Sequence, residues 1–119
     1  MKKYIMRKII KNLLRLLKMK SDLELMNDEN FAVRWQVVKR IGVEHLPKMM
    51  NDESSGVRRE VARGIGAEHL PMMMNDEDWE VRREVAKRIG IEHLPMMMND
   101  KNPDVREAAK ESLKKLKKW

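Results

Sequence analysis

A chain of 119 residues with no cysteine excludes a disulfide framework, a thiolate metal site and a cysteine nucleophile together, and at this length it makes one domain with a modest core. Hydrophobic residues at 42% and charged residues at 38%, regularly spaced, suit a helical array with solvated outer faces and not a disordered chain. The net charge of +7 is unevenly held: residues 1–20 carry eight Lys/Arg and no acid, residues 21–100 sum to −5 and residues 101–119 to +4, so overall basicity is no argument for nucleic acid.

Residues 1–21 read as a basic amphipathic helix. Arg7, Lys8, Lys11, Arg15 and Lys18 share one arc, while Ile5, Ile9, Ile10, Leu13, Leu16 and Leu17 occupy a wider one. Such a helix suits three roles: covering an exposed end of a core, lying on an anionic membrane surface, or filling a partner's groove. Capping is the expected role, because an open array end needs cover. No stretch reaches ~18 apolar residues, the length of a single spanning helix. The basic opening is that of a secretory signal, but Lys11, Arg15 and Lys18 break any apolar region and no small-residue cleavage site follows. An organellar presequence is the lesser alternative, and the expected location is cytoplasmic.

Residues 22–119 repeat themselves. Asn-Asp recurs at 27–28, 51–52, 75–76 and 99–100, and Val-Arg, Ile-Gly and Glu-His-Leu-Pro keep the same step of 24 residues. Self-similarity at a fixed period of this size marks a stacked array of about four units. In the unit 75–98, Val81, Val85, Ala86 and Ile89 fall on one arc of a helix of roughly three turns, with Arg82 inside that arc. Arg83, Glu84, Lys87 and Arg88 are expected to point away. Asn30, Ser54, Asp78 and Asn102 are the N-caps, and Pro103 takes the first helical position of the last unit.

Gly42, Gly66 and Gly90 follow each long helix, where a left-handed residue is expected. Glu-His-Leu-Pro then opens a short helical stub, beginning near the His because Pro47, Pro71 and Pro95 need a first-turn position. Leu46, Leu70 and Leu94 and some of the methionines would pack beneath the long helix. Residues 101–119 supply a fourth long helix with Val105, Ala109 and Leu113 as its apolar row and no stub.

The phrase Asp-x-x-x-x-Val-Arg-x-x-Val-Ala-x-x-Ile-Gly, repeated with Leu-Pro following, resembles the leucine-rich repeat variant family and, more broadly, the HEAT-like class. The resemblance covers residues 22–119. It implies an all-α, right-handed solenoid alternating long α-helices with short 3-10 helices. It also implies that an Asp and an Arg six positions apart line the interior and link units: Asp28/Arg34, Asp52/Arg58, Asp76/Arg82 and Asp100/Arg106. A buried guanidinium needs a carboxylate, so this ladder reads as structural. An iron–sulfur cluster associated with the family's founding member is held by cysteines, which this chain lacks. No cofactor is expected.

His45, His69 and His93 form a column, but equivalent residues of stacked units sit ~8–10 Å apart, too far for one metal ion, and no metal site is expected. Met72–Met74 and Met96–Met98 are runs of three that cannot all face one core; flexible thioethers fill gaps and also suit adaptable surfaces. Trp35, Lys39, Arg59, Arg63, Arg83 and Lys87 align on successive helices as the candidate partner-binding ridge. Glu60, Glu80 and Glu84 alongside temper it. There is no catalytic constellation. The expected function is a non-enzymatic protein-binding scaffold, with nucleic-acid binding through the ridge, or membrane association through the first helix, as alternatives.

Overall fold

A computed structural model of the protein describes residues 1–118, and the side chains of all of these except 16–21. Helix α1 (Lys2–Leu25) precedes a run of long helices, α2 (Phe31–Arg40), α3 (Ser55–Gly64), α4 (Trp79–Ala86) and α6 (Pro103–Leu116). Between them lie the 3-10 stubs η1 (Val43–Met49) and η2 (Ala67–Met73), and a third stub split into η3 (Ile91–His93) and α5 (Leu94–Met97). Long helices pack on their neighbours in chain order, and there is no strand among the described residues. The architecture is an α-solenoid.

The long helices start where the capping residues lie. Asn30, Asp78 and Asn102 accept from the backbone N–H of Ala32, Glu80 and Asp104 respectively, which satisfies a donor with no partner within the helix. Ser54 holds the same position without a side-chain cap bond. The core is the row carried by each helix plus the stub residues beneath it. Val57, Val61, Val81, Val85 and Val105 are fully buried, as are Leu70 and Leu94. Each unit's apolar flank is covered only by the next unit, so burial of about 1.5–3 kcal/mol per Val or Leu is shared across unit boundaries.

Several expectations need correction. Gly42, Gly66 and Gly90 are not left-handed, since no described residue has positive φ. They are extended N-caps of the stubs, with Gly42 at φ −63 and ψ 149. The Glu two residues on folds back over the glycine, and a Cβ at Gly42 would stand 2.5 Å from the Glu44 carboxylate, the tip of an exposed side chain that can swing aside. The stubs begin two residues ahead of the His, through His45 N–H donating to Gly42 O at 2.9 Å and its equivalents. Only the third stub turns α-helical, which puts Pro95 in its first turn.

One side chain assigned outward is buried, and a second, Arg88, is exposed as expected but bonds inward at its tip. Glu84 is buried, and Arg88 reaches back to donate to Ala62 O and Ile65 O, both at 2.7 Å. Those carbonyls end helix α3, and Ser112 Oγ does the same for Ala86 O at the end of α4.

The first helix runs to Leu25, past the boundary expected at residue 21, and residues 1–15 are all exposed. Their apolar arc covers nothing. The start of the array is covered instead by Leu25 and Met26, with Arg40 bonding Asp22 at 2.9 Å. Leu16, Leu17 and Lys18 lie among the side chains not described.

Candidate interaction surface

The interior ladder joins residues one unit apart. Arg34, Arg58 and Arg82 each clasp the carboxylate eighteen positions ahead in two parallel bonds, Nε at 2.8 Å and Nη2 at 3.1 Å, to Asp52, Asp76 and Asp100. The partner six positions behind is met through its backbone: Nη1 donates to the carbonyl of Asp28, Asp52 and Asp76 at 2.7 Å. Arg106 repeats the carbonyl bond to Asp100. Each Asp also accepts the N–H of the following N-cap residue, as Asp52 does from Ser54 at 2.8 Å.

Burial pushes the Asp100 carboxyl up, but bonds from Arg82 and from the Asn102 N–H outweigh it and hold the group below its ordinary 3.8. The bond from Asp52 raises the Arg34 guanidinium further above its ordinary value. Three clasps thus join successive units, while Asp28 and Arg106, at the two ends of the ladder, make no such clasp among the described residues.

The outer ridge is carried by α2, α3 and α4. Its cations are largely taken. Arg59 pairs with Glu80 of the next helix, and Arg63 reaches Glu60 at 2.8 Å and Glu84 at 3.3 Å. Lys87 at 3.3 Å and Arg83 at 3.9 Å close on the same Glu84 oxygen. Burial pushes the Glu84 carboxyl up, yet hydrogen bonds and charges from Arg63 and Lys87 prevail and hold it below its ordinary 4.5. Lys39 lies over Trp35, its Nζ 3.2 Å from the ring centre, and Arg83 stands 5.1 Å from the ring of Trp79.

All six predicted ridge residues therefore fall on three successive helices, but as a network closed mainly on itself. The burial of Glu84 was missed. Its signal was the shared repeat position of Glu60 and Glu84 beside Arg59 and Arg83.

The stubs offer a second surface. Met73 and Met97 are 2% exposed, whereas Met72 and Met96, one position earlier, are 63% and 62% exposed. Successive side chains point about 120° apart in the 3-10 helix η2 and about 100° apart in the α-helical α5, which divides each triplet between core and solvent. Val43 and Ile91, at the head of the first and third stubs, are also exposed. Each stub histidine faces the preceding glutamate at 3.5–3.6 Å. No three His, Asp or Glu side chains converge on a metal position among the described residues.

Residues 91–119 match the HEAT repeat family. A solved structure described as a leucine-rich repeat variant with a novel repetitive protein structural motif is similar over 79% of this chain, at 37% identity and a TM-score of 0.74. The chain spans 40% of that protein's length. No curated protein matches it. The repeats are of the leucine-rich repeat variant type, within the HEAT-like class of α-solenoids.

Proposed function

We propose that the protein is a non-enzymatic repeat scaffold that binds another protein through its stub surface, with Met72 and Met96 as the adaptable contacts and Val43 and Ile91 beside them. One observation carries this reading: in two successive stubs the same methionine position is turned into water while its neighbour is buried. A flexible, polarizable thioether held outward on a rigid helix repacks against apolar partners of varied shape. The likeness to the HEAT repeat and to a leucine-rich repeat variant supports the coarser half of this reading, a repeat scaffold.

The ridge is the weaker surface for a polyanion. Arg59, Arg63 and Lys87 already contact carboxylates, so a phosphate backbone would have to displace Glu60, Glu80 and Glu84. The test compares partners recovered by the intact protein, by Met72→Ser/Met96→Ser and by Arg59→Glu/Arg83→Glu. Loss of partners with the methionine pair and retention with the arginine pair is expected. Full recovery by the methionine variant would sink the stub reading, and salt-sensitive retention of nucleic acid would favour the ridge.

A further inference from the structure

Seven apolar side chains of α1, Tyr4, Ile5, Met6, Ile9, Ile10, Leu13 and Leu14, are each 47–70% exposed, although the array a few residues on buries its own apolar row completely. The same segment is the most basic in the chain, with eight Lys/Arg and no acid in residues 1–20. On a helical wheel Ile5, Ile9, Leu13, Met6 and Ile10 form one arc, interrupted by Lys2 of the first turn, and Arg7, Lys11 and Arg15 form the opposite one, with Tyr4 and Leu14 among them. Lys3 and Lys8 stand toward the two edges between them. Any occupant of this helix must therefore accept apolar side chains and neutralise a dense positive charge along the same length.

We propose that α1 docks in the plane of an anionic lipid surface, with its apolar arc at the acyl boundary and its cations among the headgroups. Three other occupants meet only half of the requirement. A nucleic acid would neutralise the cations and leave the apolar arc in water. An apolar groove of a protein would cover the arc and leave an unopposed excess of positive charge. A second copy of α1 would bring together two strongly cationic segments, each without an acid over residues 1–20, with like charges meeting along both edges.

An extended anionic surface satisfies both arcs at once, which is the pattern of interfacial helices. The helix lies on the surface and does not cross it: no described helix is long and apolar enough to span a bilayer.

The experiment is co-sedimentation of the full chain with vesicles of phosphatidylcholine alone and of phosphatidylcholine holding about 30% phosphatidylserine. Binding to the mixed vesicles only is expected, weakened roughly tenfold on going from low to high salt. Ile5→Ser/Ile9→Ser/Leu13→Ser should abolish it at unchanged charge, and Lys8→Gln/Lys11→Gln/Arg15→Gln should abolish it at unchanged apolar surface. Both variants should melt as the parent does, because these side chains touch no core. Met72→Ser/Met96→Ser should bind vesicles normally, which separates this inference from the stub reading. Failure to bind mixed vesicles, binding unaffected by the serine variant, or a lipid-free dimer that the serine variant dissolves would each overturn it.

Discussion

The array and helix α1 carry the same kind of amphipathic pattern and meet opposite fates. In α3 and α4 the apolar row is shut away, with Val57, Val61, Val81 and Val85 fully buried, while Ile5, Ile9 and Leu13 of α1 remain half exposed. The difference does not lie in the apolar arcs themselves. It lies in what each helix has beside it. Each of the units carrying Arg34, Arg58 and Arg82 finds its next copy beside it, with a matching flank and a matching Asp for its Arg. Helix α1 has no such neighbour among the described residues and joins the array at its last turns, through Asp22, Leu25 and Met26. An apolar face states a need for cover; only a complementary neighbour supplies it.

That contrast orders the substitutions. Arg58→Leu should cost most, about 3–5 kcal/mol, because it leaves the largely buried Asp76 carboxylate with only the Asp78 N–H and the Asp52 carbonyl without its Arg58 donor. Urea denaturation measures it. A loss below about 1 kcal/mol would mean that the ladder is ornamental and the apolar row alone holds the stack. Leu70→Ala follows, at about 2–5 kcal/mol, since Leu70 is fully buried between units. The loss should spread beyond its own unit, visible as faster amide exchange in both flanking helices.

Glu84 gives a smaller, pH-dependent effect. Its folded carboxyl lies below the ordinary 4.5, so the unfolded chain binds the proton more tightly and stability rises with pH across that interval. Its contribution is complete above about pH 4.5 and is lost as pH falls through the lower folded value. The difference in urea midpoint between the parent and Glu84→Gln should be level near neutrality and shrink below that pH. A difference that stays constant into strong acid would show that the Arg63 and Lys87 contacts do not stabilise the charge. Arg59→Gln, which breaks a half-exposed pair with Glu80, should cost at most about 1 kcal/mol. Last comes Ile9→Ser in α1, for which no change in the array's midpoint is expected. A clear destabilisation there would show that α1 caps the core after all.

Much of the architecture was written in one dimension. The step between Asn-Asp pairs places the four N-caps, and the valine spacing places the buried row, because both depend on angles within a single helix. That Arg82 sits inside the row was legible for the same reason. Its partner was not. The carboxylate it clasps, Asp100, lies eighteen positions ahead, and only the offset between stacked units brings it within 2.8 Å. The glycines misled because a helix end followed by Gly suggests a left-handed cap, whereas here Gly42, Gly66 and Gly90 all have negative φ, under a carboxylate folded back from Glu44, Glu68 or Glu92.

By itself, then, the amino-acid string determined the periodic content of this protein: which residues begin a helix, which face turns inward, and that each unit needs another. The tertiary structure alone decided the relations between units. It buried Glu84 among three cations, turned Arg88 back to the carbonyls ending α3, split the methionines between core and water, and left the start of α1 uncovered. The physical reason is one of range. Helical periodicity follows from local backbone geometry, which a short window of residues specifies, whereas the partner of a charge or an apolar face is set by how rigid units stack, and that is decided by packing across distances no local window contains.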